Sequence, residues 1–101
     1  VRGLDLTAAA QRDLAGIAAE SVAVWGSKQR DLYMADLETR IGRLRDRPEL
    51  GPPSKDRPDL RRLIVGRHAV FYRFDDATVQ IVRILHQHMD APHHLGRTPK
   101  S

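Results

Sequence analysis

Apolar and polar positions change period along this chain, and the changes mark out its elements. The densest apolar stretch is 60–90. Residues 60–65 are mostly β-favouring, interrupted by Arg61 and Arg62, and Gly66 then supplies a turn position that tolerates positive φ. Residues 68–74 alternate, with Val70, Tyr72 and Phe74 on one face and Ala69, Phe71 and Arg73 on the other. Asp75-Asp76 is a second turn signal. Residues 78–85 form the strongest strand, because Val79, Ile81, Val82, Ile84 and Leu85 crowd both faces and so predict a position in mid-sheet. Such a meander must bury a face against another layer.

The N-terminal half has the period of that layer. Residues 2–6 alternate briefly and predict a first strand; Thr7 then stands where a helix N-cap belongs. From Ala8 the spacing is helical, with Ala10, Leu14, Ile17, Ala18, Ser21 and Trp25 on one side. Gly26 ends this helix and Ser27 is expected to cap the next, so the connection is short enough to force a helical hairpin. The second helix is predicted over 28–47, with an apolar stripe of Tyr33, Leu37, Ile41 and Leu44 and with Met34 at its edge. Arg40, Arg43, Arg45 and Arg47 crowd its last turns, where cations meet the negative end of the helix dipole. Residues 48–59 hold four prolines and a glycine and predict an extended loop. Residues 91–95 predict one helical turn, and 97–101 a flexible tail after a single domain spanning 1–96. The predicted fold class is α+β, in the order β-α-α-β-β-β: a helical hairpin on one face of a mainly antiparallel sheet. The opposite face is expected to carry Arg61 or Arg62, Arg73 and Arg83 and to be partly open.

Composition narrows the function classes. The chain has 101 residues and no cysteine, which excludes disulfides, thiol catalysis and cysteine-ligated zinc. No apolar run reaches membrane-spanning length, and the N-terminus lacks a signal pattern, so a cytoplasmic protein without membrane association is expected. Net charge is +4, and 14 of the 17 basic residues are arginine, which suits an anionic partner such as nucleic acid or an acidic protein segment.

Four constellations carry candidate chemistry. His86 and His88 share a strand face and are of the right type to co-ligate a metal, but no further ligand is placed beside them, and no metal site is assigned. His86, His88 and Arg83 are the types needed for acid–base cleavage of RNA, but the same residues suit strand-end packing, and no catalytic residue is assigned. The strand arginines lack free aromatics to interleave with, because Phe71 and Tyr72 belong to the core, which weakens a nucleic-acid reading. The favoured candidate is an arginine-flanked, open sheet face that receives an acidic amphipathic or extended peptide.

The residues also resemble a known family, the ParE toxins of bacterial type II toxin–antitoxin systems, within the RelE/ParE group. The matching pieces are LTAAAQRDLAGI in the first helix, WGSKQRDLY at 25–33, RPELG at 47–51, LRRLIVGRHAVFYRF at 60–74 and IVRILHQHMDAPHHL at 81–95. The resemblance implies a cytoplasmic, growth-inhibiting toxin that needs no cofactor, poisons DNA gyrase and is neutralised by a ParD-like antitoxin in a hetero-oligomer. No sequence-specific DNA binding is expected of this chain alone. Two alternatives stand beside this reading: a degenerate toxin that only binds antitoxin, and the RelE branch, which cuts ribosome-bound mRNA with basic and tyrosine residues near the C-terminus. Here no Tyr, Lys or further Arg follows Arg83 until Arg97, which favours the ParE branch. His88 stands where the family often has arginine. On this reading Arg61, Arg62, Arg73 and Arg83 contact the acidic C-terminal segment of the antitoxin. His86, His88, Met89 and Asp90, at a sheet end, contact the target.

Overall fold

The computed structural model describes residues 1–88 and Leu95. Expectations for Met89, Asp90, the rest of the turn at 91–95 and the tail at 97–101 fall outside those residues. The elements run β1 (Gly3–Leu6), α1 (Ala8–Trp25), α2 (Ser27–Arg43), a 3₁₀ turn (Pro48–Leu50), β2 (Arg61–Val65), β3 (His68–Phe74) and β4 (Thr78–His86). The fold is α+β as expected, a helical hairpin on a four-stranded sheet of order β1-β4-β3-β2. β1 runs parallel to β4 and the other pairs are antiparallel, so β4 lies in mid-sheet.

Thr7 joins the two layers. Its hydroxyl accepts from Ala10 N at 3.0 Å, capping α1, and donates to the Val82 carbonyl at 2.7 Å. The connection between the helices is a single residue. Gly26, at φ 85°, closes α1 through its N–H to Val22 O and opens α2 by accepting from Arg30 N. Ser27 is therefore the first residue of α2 and not its cap. α2 ends at Arg43, four residues before the predicted end; 44–46 tighten into i→i−3 bonds, where Leu44, Arg45 and Asp46 donate to Ile41, Gly42 and Arg43.

The core lies between the hairpin and the sheet. Ala10 and Ile17 of α1, Leu37 and Ile41 of α2, and Leu44 pack on Val65, Val70, Tyr72, Val79, Ile81 and Ile84. Trp25 is the exception among the predicted stripe residues: it is 42% exposed, at the tip of the hairpin, beyond the reach of the sheet. Ile81 and Ile84 share this core because of a bulge. Tyr72 pairs with Ile81 and Phe71 with Arg83, which leaves Val82 unpaired and shifts the strand's phase. Val82 and Leu85 consequently meet Leu60, Ala69 and Phe71 in a second cluster on the other face.

Part of that second face is covered. The proline-rich loop folds back along the start of β2, with Ser54 N bonded to Leu60 O and Arg62 N to Pro52 O. Leu60 precedes β2 and is buried beneath the loop. Leu95 also packs here, its carbonyl accepting from Arg57 Nη1 at 2.6 Å. Among the described residues, no helix is long and apolar enough to cross a membrane.

Candidate functional site: the second sheet face and the strand ends

A groove of about 760 Å³ runs along the second face. Its floor is Ile64, Ala69, Phe71 and Leu85; one wall is the loop from Pro52 to Asp56, and Arg62, Leu63, His86 and Gln87 complete the lining. The groove thus combines apolar depth with a cationic side, a form suited to an amphipathic segment.

The four predicted arginines divide. Arg62 lines the groove and uses none of its guanidinium donors within the described chain. Arg73 is exposed on the same face as Phe71, its Nε held at 2.7 Å by Gln80 Oε1. Arg61 points the other way, because it lies opposite Tyr72 on the helix side of the sheet. Its Nη1 donates to Gly51 O at 2.8 Å, and its guanidinium lies 5.6 Å from the Phe74 ring centre. It ties down the 3₁₀ turn.

Arg83, expected on the open face, is directed to α1. β1 stops opposite Ile81, so the edge of β4 beyond it is completed by Asp13. Asp13 Oδ2 accepts from Ile84 N at 2.9 Å and from Arg83 Nε at 2.7 Å, while Oδ1 accepts from Arg83 Nη2 at 3.0 Å. The paired carboxylate raises the Arg83 pKa above the ordinary guanidinium value.

The histidines form a chain of contacts at the ends of β3 and β4. His68 is buried, and its ring meets that of His86 edge-on at 5.6 Å. His86 lies 5.1 Å from His88 and accepts the His88 N–H on Nδ1 at 3.2 Å. His68 Nδ1 lies 2.6 Å from the Tyr33 hydroxyl, which is also 3.0 Å from Val65 O and accepts from Arg67 N at 3.2 Å. The hydroxyl has one proton to give. If it goes to the Val65 carbonyl, His68 must donate Nδ1–H, and this assignment satisfies all four groups. Burial above all, with His86 and Arg67 adding to it and Glu20 opposing, holds the His68 pKa below the usual imidazole value. Arg12, Asp13, Glu20 and Arg83 line a cavity of about 250 Å³ beside His68 and His86. Among the described residues no group of three or more His, Asp or Glu side chains is placed to hold a metal ion.

Two features escaped the sequence reading. Tyr72 reaches out of the core: its hydroxyl donates to Pro48 O at 2.6 Å and accepts from Gly51 N at 2.8 Å. Burial raises its pKa above the ordinary phenol value. The other feature is a convergence at the hairpin tip. Trp25 at the end of α1, and Gln29 and Tyr33 one turn apart on α2, meet the turn of Gly66, Arg67 and His68. A Cβ on Gly66 would lie 2.6 Å from Tyr33 Cε1, and φ there is 57°, so this turn requires glycine. The spacing of Gln29 and Tyr33 is legible as one face of α2, but the partner of Tyr33 across 35 residues is not.

The chain is similar to known toxins. Toxin ParE1 of Caulobacter vibrioides is 38% identical over 92 residues, covering 90% of this chain and 95% of that one. Toxin ParE1 of Mycobacterium tuberculosis is 37% identical over 73 residues, covering 70% and 74%. In structure, the chromosomal ParDE toxin–antitoxin system from P. aeruginosa superposes with TM-score 0.75 at 24% identity, over 84% of this chain and 95% of that one. The toxin–antitoxin complex RelBE2 from Mycobacterium tuberculosis gives TM-score 0.60 at 26% identity, over 85% and 98%. Residues 4–91 match the family described as "ParE toxin of type II toxin-antitoxin system, parDE". With that match spanning nearly the whole described chain, the protein belongs to the family of ParE toxins.

Proposed function

We propose that this toxin acts by binding a protein target, DNA gyrase, and that a ParD-like antitoxin neutralises it by laying an acidic segment along the second sheet face. The observation that carries the antitoxin half is the groove itself, with an apolar floor and with Arg62 and Arg73 presented on the same face. Charge on its rim speeds encounter, and the buried floor sets the lifetime of the complex. The complex is a cytoplasmic hetero-oligomer, and the toxin needs no cofactor. The target half is carried by the end of β4: His86 and His88 stand at the sheet end, followed in sequence by Met89 and Asp90, and we assign this segment to target contact.

A protein-binding mode is supported by the state of Arg83. Its guanidinium is forked onto Asp13, and a cation so neutralised is a poor stabiliser of a phosphorane. The likeness to RelBE2 favours a second reading, a RelE-like ribonuclease that cuts ribosome-bound mRNA. Purified gyrase supercoiling and cleavage-complex assays, run beside ribosome-dependent mRNA cleavage, separate the two. The proposal expects gyrase inhibition without mRNA cleavage, and specific mRNA cleavage with unaffected gyrase would overturn it.

A further inference from the structure

The hairpin tip carries a built arrangement that neither the groove nor the β4 end uses. The Arg67 guanidinium lies 3.4 Å from the centre of the Trp25 ring and 5.8 Å from that of Tyr33. Its side chain meets no carboxylate or carbonyl among the described residues, although its backbone N and O are bound to the Tyr33 hydroxyl and Gln87 N. Stacking occupies the face of a guanidinium and leaves its N–H donors free in the plane, in the fork that matches a carboxylate. A recess of about 340 Å³ lined by Trp25, Gln29, Tyr33 and Arg67 lies beside it.

The surroundings match the rest of such a ligand. Trp25, whose ring stacks on the cation, is itself 42% exposed, so a large apolar surface stands beside the guanidinium where solvent would otherwise be preferred. Lys28 adds charge at the start of α2, whereas Asp31 is already paired with Arg30 at 2.7 Å. Because the aromatic ring already holds Arg67 in place, a carboxylate arriving there costs less ordering than at a free surface arginine.

We propose that this tip recognises a carboxylate followed by apolar residues in an acidic segment of the antitoxin. The inference rests on the reading of the second sheet face given above. A segment that runs along β2 over the exposed Ile64 leaves that strand at the Gly66–Arg67 turn, and so arrives at the tip.

Trp25 is the chain's single tryptophan, so its fluorescence reports on this site directly. The probe is a synthetic, end-blocked peptide of sequence Leu-Glu-Glu-Leu-Asp-Leu, compared with its Gln/Asn counterpart. Saturable change in Trp25 emission with the acidic peptide is expected, with binding about tenfold weaker for the amide peptide. Arg67→Ala and Arg67→Lys should each weaken the acidic peptide by about tenfold, since lysine keeps the charge but not the planar fork. Arg40→Ala, on an exposed face of α2, should leave binding unchanged. Circular dichroism melting accompanies each variant, and the backbone bonds of Arg67 predict that the turn persists. Equal binding of the two peptides, full affinity in Arg67→Lys, or emission that follows protein concentration alone would each overturn the proposal. Amide NMR shifts at Arg62 and Ile64, read in the same titration, keep the two sites apart. Shifts there with a silent Trp25 overturn the tip and leave the groove reading standing.

Discussion

The two faces of the sheet are built to different rules. On the helix side, side chains from both helices meet Val65, Val70, Tyr72, Val79, Ile81 and Ile84 in one continuous cluster. On the other side a smaller cluster of Leu60, Ala69, Phe71 and Leu85 is covered by an irregular loop, and a groove of about 760 Å³ remains beside it. The first face fixes the fold. The second spends less on packing and keeps cations and apolar surface available to a partner.

Substitutions should separate the faces. The largest effect is expected on the helix side: Leu37→Ala or Ile81→Ala, both at 0% exposure, should each cost about 2–5 kcal/mol of stability in denaturant unfolding. That is a large share of what a domain of this size possesses. A midpoint near that of the parent would mean that this face is not the stabilising one.

Tyr72 tests how the helix-side core is tied to the loop that crosses to the second face. Tyr72→Phe keeps the ring but leaves Pro48 O and Gly51 N without their partner, and should cost about 1–3 kcal/mol. If the phenylalanine variant melts with the parent, the 3₁₀ turn is held by other bonds, Arg61 to Gly51 foremost.

On the second face the expected pattern reverses. Arg62→Ala and Arg73→Ala should each weaken antitoxin binding by about 1–3 kcal/mol where the guanidinium meets a buried carboxylate, with melting temperature nearly unchanged. Calorimetric titration with the antitoxin measures this. Arg83→Ala should do the opposite, lowering stability through the loss of its partner Asp13. Unchanged affinity in both the Arg62 and the Arg73 variant would remove this face as the binding surface.

The smallest effect is a pH slope. The native His68 pKa lies below the ordinary imidazole value of 6.5, held there chiefly by burial. The unfolded chain therefore takes up the proton first as pH falls, so the stability contributed by neutral His68 is complete above about pH 6.5 and is lost as pH falls towards the native value. His68→Gln should flatten the dependence of melting temperature on pH across that window. An unchanged slope would show that His68 titrates alike in the folded and unfolded chain.

The fold was largely legible in the sequence because its signals are local. Thr7 before a 3.6-residue period, Gly26 and Gly66 at sharp turns, and apolar residues on both sides of β4 each report on a neighbourhood of a few residues. The site was legible only in part. Strict alternation cannot place Arg83, because the bulge at Val82 changes the phase of the strand and the edge left by the short β1 brings in Asp13. Arg61 and Arg62 are adjacent in sequence but face opposite layers, and only the pairing of Arg61 with Tyr72 decides which is which. The hairpin tip joins residues 42 positions apart, Trp25 and Arg67, and nothing in either segment alone announces the stack.

The mode of action is tested most directly by changing His86 and His88 together to glutamine and measuring gyrase cleavage-complex formation beside ribosome-dependent mRNA cleavage. Glutamine keeps a hydrogen-bonding side chain at the end of β4 but cannot shuttle protons near neutral pH. A toxin that works by contact should retain most of its effect on gyrase and cut no mRNA in either form. Specific mRNA cleavage by the parent that falls about 10²–10⁴-fold in the double variant, with gyrase untouched throughout, would contradict a binding mechanism and establish a histidine-dependent nuclease.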